Sequence, residues 1–150
     1  MLSEVQVINV EPRIVAVRRG RAVNTAVGPA MLGLLSEVWG FIRKTGQKNR
    51  GINVAMYTCC EEGGVAIAAG VEVGEAFSAG EGVECAQTPG GAAAMVTLLG
   101  EYSEIPAAHA AVREWCKAQG RATTGMNWEV YGHHSDDPAK RQTDVYYQLA

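Results

Sequence analysis

No stretch of this chain approaches the roughly 18 consecutive apolar residues needed to cross a bilayer, and the first six residues, Met1 to Gln6, carry no basic segment followed by an apolar run. The sequence therefore reads as neither a membrane span nor an exported precursor. It also lacks C-x-x-C spacing: its four cysteines are Cys59, Cys60, Cys85 and Cys116. Adjacent cysteines are poor mutual disulfide partners, and with no export signal the expectation is a cytoplasmic protein whose free thiols act as small packing residues. Positive charge is not in excess either. The formal net charge is −3, which argues against direct nucleic-acid binding by phosphate neutralisation. Basic residues do gather at Arg18, Arg19 and Arg21 and again between Arg43 and Arg50. The second group follows an expected helix end, where cations suit the macrodipole, and both read as solvated charge.

Other motifs are missing as well. Pro89-Gly90-Gly91 precedes a strand rather than a helix, so it is no phosphate cradle. His133-His134-Ser135-Asp136-Asp137 has the residue types of a metal site. Consecutive histidines on an extended segment point apart, however, and Asp136-Asp137-Pro138 is a turn signal. No metal and no cofactor are expected, and no Ser-His-Asp or Cys-His set is legible.

What remains is an ordinary globular composition, 47% hydrophobic and 19% charged over 150 residues, enough for one domain with a sizeable core. Strand patterns occur at 5–10, 14–18, 52–58, 65–73, 83–86, 93–99, 126–132 and 143–149. A helix is expected over 29–44, with Leu32, Leu35, Val38 and Ile42 at helical spacing and Gly46 behind it. A second helix starts near Ser103-Glu104-Ile105-Pro106, with Ser103 as its N-cap, and shows Ala108, Val112 and Trp115 or Cys116 as its apolar stripe. Gly120 closes it.

The order strand-helix-strand-strand thus occurs twice, in pseudo-repeats of about 1–78 and 79–150. At a shift of 74 residues, Phe41 falls on Trp115, Gly46 on Gly120, Gly51 on Gly125, Tyr57 on Tyr131 and Val71 on Val145, while Gly20 matches Gly100 at a shift of 80. Ala79-Gly80-Glu81-Gly82 is read as a turn joining the copies. The expected fold class is α+β: a tandem β-α-β-β repeat forming one mostly antiparallel sheet, with two helices on one face and a central cleft.

Within Trp128-Glu129-Val130-Tyr131 a carboxylate stands in an aromatic and β-branched run. Alternation puts Glu129 and Tyr131 on one strand face, Trp128 and Val130 on the other. Burying that carboxylate costs free energy unless a partner, water or a ligand compensates it. At a shift of 74 its counterpart is Ala55, so the acid would stand on one side only. Tyr57, at the position equivalent to Tyr131, is the candidate ring from the other copy. Trp39 lies on a helix apolar nearly all round, which must bury more than one face. That helix either walls a pocket or packs at a homodimer interface. Trp115 and Trp128 read as core.

From Gly82 onward the motifs resemble a family. Gly82-Val83-Glu84-Cys85 is followed by Pro89-Gly90-Gly91, then by Leu98-Leu99-Gly100-Glu101-Tyr102-Ser103-Glu104-Ile105. Val112-Arg113-Glu114-Trp115, Trp128-Glu129-Val130-Tyr131, Asp136-Asp137-Pro138 and Thr143-Asp144-Val145-Tyr146 complete the series. This order resembles the GyrI-like family, the effector-binding domain of AraC-type and MerR-type multidrug regulators. The first half matches less well, with Arg19-Gly20-Arg21-Ala22 where the glycine-aromatic turn would recur.

The resemblance implies a cleft that binds hydrophobic, often cationic, small molecules. It implies Glu129 as the acidic determinant and Tyr146 and Tyr102 as aromatic neighbours, to which the residues themselves add Tyr131, Tyr57 and Trp39. Some members of the family carry a helix-turn-helix domain, for which these 150 residues leave no room. Others modulate gyrase through protein contacts, or hydrolyse cyclopropane-bearing compounds. The reading favours a binder over an enzyme. The catalytic alternative uses Glu129 and Tyr131, about 6.6–6.8 Å apart along a strand, to activate a water between them.

Overall fold

The computed structural model describes residues 1–23, 26–59 and 64–150. Cys60 and the side chain of Cys59 lie outside this description. The fold is α+β, with antiparallel strands and two helices. In chain order the strands are β1 (Gln6–Val10), β2 (Ile14–Val23), β3 (Asn49–Cys59), β4 (Gly64–Val73), β5 (Glu84–Gln87), β6 (Gly91–Leu99), β7 (Thr123–Tyr131) and β8 (Gln142–Leu149). The helices are α1 (Val27–Thr45) and α2 (Ile105–Ala118).

Two compact units form, and each contains a strand from the opposite half of the chain. Met1–Glu11 belongs with Pro89–Ala150, while Pro12–Thr88 makes the other unit. In the first, the strand order is β1-β6-β8-β7. In the second, it is β3-β4-β2-β5. Hydrophobic alternation specifies that β1 and β5 are strands but not which neighbour they pair with, so the exchange is invisible along the sequence. The Ala79–Gly82 segment is a turn, as expected: Gly80 and Val83 exchange backbone hydrogen bonds of 3.1 and 2.8 Å around Glu81 and Gly82, both at positive φ.

In the unit of Pro12–Thr88, α1 covers one sheet face. Val38, Phe41 and Ile42 pack on Ala16, Val71, Val73 and Val83, with Leu35, Trp39 and Phe77 at the margin. Leu32, expected in this stripe, is instead 60% exposed, because the buried face turns through Phe41 rather than back to Leu32. Gly46, in the left-handed region at φ 71°, ends α1 with its N–H on the Ile42 carbonyl. Two basic residues of β2 are ion-paired: Arg18 Nε lies 2.7 Å from Glu37 and Arg19 Nε 2.8 Å from Glu84. Lys44, at the end of α1, lies 2.5 Å from Glu81.

In the unit of residues 1–11 and 89–150, Ala108, Val112 and Cys116 of α2 pack on Ala94, Val96, Leu98, Val145, Tyr147 and Leu149. Each buried valine- or leucine-sized side chain contributes about 1.5–3 kcal/mol. Trp115 packs partly buried against this cluster. Ser103 does not cap α2. A 3₁₀ turn, Tyr102–Glu104, precedes the helix and is closed by a reciprocal Glu101–Glu104 capping box, with the Glu101 N–H donating to Glu104 Oε2 at 2.8 Å. Burial pushes the Cys116 thiol pKa up, partly offset by the Arg121 charge. Cys85 is exposed rather than a packing residue, because β5 is a four-residue strand at the end of its ladder.

Gly51 and Gly125, matched in the sequence at a shift of 74, play the same part. Each has positive φ, 71° and 93°, and each lies where the strand register slips, between Asn49 and Asn53 and between Thr123 and Asn127. A β-bulge of this kind favours glycine because a Cβ is strained at that φ.

Candidate functional site

Beyond its bulge, β7 pairs with β8 in a fixed register. Trp128 faces Tyr146, Glu129 faces Val145, and Tyr131 faces Thr143. Cross-strand partners share a sheet face. Val145 lies in the core under α2, so Glu129 and Tyr131 point toward the helix side. Glu129 is 5% exposed, and its carboxylate is held from two directions. The Tyr131 hydroxyl donates to Oε1, and His109 Nε2 of α2 lies 2.5 Å from Oε2. The other ring nitrogen, Nδ1, lies 2.7 Å from the Tyr147 hydroxyl. Arg113, one turn along α2, donates to that same hydroxyl oxygen at 3.1 Å.

The result is a hydrogen-bonded chain, Arg113–Tyr147–His109–Glu129–Tyr131. Tyr131 extends it through an edge contact with Tyr102, with ring centroids 6.3 Å apart and planes at 83°. The Arg141 guanidinium sits 5.4 Å from the Tyr102 ring centroid. Tyr102 is 40% exposed, and its hydroxyl approaches His134 Nδ1 at 3.5 Å. The cluster therefore grades from a buried acid to an accessible ring.

Tyr102, Tyr131 and Glu129 are brought together as the sequence suggested. Tyr146 is not. It stacks on Trp128 on the opposite sheet face, with centroids 4.9 Å apart and planes at 7°. The tyrosine that joins Glu129's face is Tyr147, one residue on: the β7–β8 register, unknown from sequence, sets which of two adjacent tyrosines shares that face. Tyr57 and Trp39 belong to the other compact unit. Trp39 Nε1 donates to Asn53 Oδ1 at 2.9 Å, and Tyr57, two alternations along β3 from Asn53, is buried on the helix-covered face of its own sheet.

His109, Arg113 and Tyr147 were not legible as site residues. The available signal was weak: His109 and Arg113 are four apart, so they share a helix face next to the Ala108–Val112 stripe. The expected space for water between Glu129 and Tyr131 is also absent, because the phenol bonds the carboxylate directly. His134 Nε2 lies 3.8 Å from Asp136. Among the described residues, no three His, Cys, Asp or Glu side chains stand close enough to hold a metal ion. No helix among them is long and apolar enough to cross a membrane.

Among the described residues, one buried side-chain polar atom has no partner. Thr143 Oγ1, in the cross-strand position beside Tyr131, makes no hydrogen bond. Such an orphan costs about 1–3 kcal/mol. Thr143→Val should therefore stabilise the protein by about 1 kcal/mol in urea unfolding. A loss of stability of that size would mean the hydroxyl is satisfied in solution.

The family model for the GyrI-like small molecule binding domain matches residues 3–150. The chain belongs to this family. No curated protein matches the sequence. Among solved structures, the EcmrR C-terminal domain superposes with a TM-score of 0.79 at 14% identity, covering 98% of this chain and 97% of that one. In the complex of EcmrR with DNA, this chain spans 57% of the EcmrR chain. SAV2435 bound to tetraphenylphosphonium gives a TM-score of 0.73 at 10% identity, covering 99% of this chain and 94% of that one. A hydrolase encoded by lin2189 from Listeria innocua gives 0.62 at 10% identity, covering 98% and 92%. At these identities the likeness shows the fold. The first half of this GyrI-like domain, weak in motifs, is thus part of the same fold as the second.

Proposed function

We propose that this GyrI-like domain binds hydrophobic organic cations, with Glu129 as the acid that recognises the charge. The observation that carries this reading is a carboxylate only 5% exposed, set among the rings of Tyr131, Tyr102 and Tyr147. Burial penalises the ionised carboxylate, and a cation beside it relieves that penalty. Each favourable ring adds about 0.5–2 kcal/mol of cation–π attraction. Tyr102 supplies the accessible edge, and Tyr131 links it to the acid. The tetraphenylphosphonium complex of SAV2435 suggests the probe.

Tetraphenylphosphonium at 100 times its Kd is expected to stabilise the protein by about 2.7 kcal/mol, read as a thermal shift. Triphenylphosphine oxide, aromatic but neutral, serves as the reference. Glu129→Gln keeps the shape and removes the charge. It should weaken the phosphonium by about tenfold or more, equivalent to about 1.4 kcal/mol, and leave the phosphine oxide within about twofold. Equal phosphonium binding by wild type and Glu129→Gln would remove the acid from the account.

A further inference from the structure

Glu129 already has a potential cation beside it. His109 Nε2 stands 2.5 Å from its carboxylate, and the His109 side chain is itself 14% exposed. The geometry constrains where protons sit. Nε2 faces an acceptor, so it carries hydrogen whether the ring is neutral or charged. The variable proton is on the Nδ1 side, shared with the Tyr147 hydroxyl at 2.7 Å. A hydroxyl either donates to a bare nitrogen or accepts from a protonated one, so Tyr147 accommodates both states by rotating its O–H.

The charged and titratable groups around His109 pull in opposite directions. Glu129 on β7 favours the imidazolium, while Arg113 on α2, at the same Tyr147 oxygen, disfavours it. Tyr131 shares the carboxylate. The 3₁₀ turn packed against α2 brings Tyr102, Glu101 and Glu104, and the two glutamates are engaged in their capping box. Residues 91–99 of β6 contain no titratable side chain. Asp144 of β8 lies on the far face, accepting from Thr97 Oγ1 at 2.8 Å.

We propose that His109 is the specificity-determining residue of this site. As an imidazolium it is Glu129's resident counter-cation. An organic cation takes over that role, and His109 releases its Nδ1-side proton to solvent. One positive charge enters and one leaves, so the site keeps its net charge. Neutral ligands displace no proton. The domain then discriminates ligands by charge as a proton–cation exchanger, and acid conditions unload cationic ligands selectively. This rests on the cation-binding reading above.

Calorimetry of tetraphenylphosphonium binding to the full chain, in two buffers of different ionisation enthalpy, counts the protons. Release approaching one proton per cation is expected on the acid side of the profile. Along that acid limb, affinity should fall by up to about tenfold per pH unit. Triphenylphosphine oxide should release none. His109→Gln should abolish the release and flatten this limb. His134→Gln, next to Tyr102 but not to Glu129, should retain both effects.

Cation binding by wild type without proton release, or an unchanged profile in His109→Gln, would overturn the role of His109 and leave cation binding standing. Absence of phosphonium binding at every pH would remove both. The proton count on wild type decides the matter even if His109→Gln does not fold.

Discussion

Gly70→Ala is expected to prevent stable folding, with a loss of about 4 kcal/mol or more. Gly70 sits in β4, pairing with Val54 of β3 on one side and Val17 of β2 on the other. A Cβ added there would stand 1.6 Å from the Ala16 carbonyl oxygen and 2.9 Å from the Val17 Cα. Both neighbours are backbone in the β2–β4 ladder, so no rotamer change relieves the clash. The strands must separate, and with them Ala16 and Val71, which lie in the core under α1. Soluble yield and a urea denaturation curve measure this. Gly40→Ala is the internal control. A Cβ at Gly40 meets nothing within 4 Å, and alanine within a helix gains about 0.5–1 kcal/mol over glycine. Stability of Gly70→Ala within 1 kcal/mol of wild type would refute the β2–β4 packing described above.

Trp128→Ala should cost about 3–5 kcal/mol. The indole is 3% exposed and stacks on Tyr146 across the ladder. Truncation removes a large buried apolar surface and leaves Tyr146 without its stacking partner. For a chain of this size each kcal/mol moves the melting temperature by roughly 2–4 °C, so a drop on the order of 10 °C is expected by calorimetry. The effect separates structure from recognition. Trp128 lies on the sheet face opposite Glu129, so surviving folded protein should bind tetraphenylphosphonium with affinity changed by less than about threefold, whereas Glu129→Gln should weaken it by about tenfold or more. A Tyr146→Phe variant, which keeps the stack on that far face, should retain tetraphenylphosphonium affinity.

The strand positions were legible because period-two alternation and glycine punctuation are local. All eight expected strands overlap observed ones, although β2 runs on to Val23 rather than stopping at Arg18. The extension through Arg19, Gly20 and Arg21 comes from pairing with β4, which continues to Val23 opposite Gly64. The opposite faces of Glu129 and Trp128 were legible for the same local reason. So was the Gly51–Gly125 match, since a bulge at positive φ favours glycine in the sequence itself. The Val71–Val145 match was a coincidence of common residues. Beyond the bulges, Val145 pairs with Glu129 as Ala69 pairs with Ala55, so Ala69 is its counterpart in the ladder.

The sequence by itself determined that an unusual acid lies on a strand, that Tyr131 shares its face, and that the chain is α+β of the GyrI-like kind. Those properties depend on residues a few positions apart, where backbone geometry links side chains directly. Only the tertiary structure decided what surrounds the acid. The β7–β8 register selects Tyr147 over Tyr146, and the docking of α2 delivers His109, twenty residues distant, to 2.5 Å from the carboxylate. Register and helix docking are set by collective burial of Ala108, Val112, Val145 and their neighbours, which no short stretch of sequence encodes. For that reason Glu129 was visible in the sequence and its histidine partner was not.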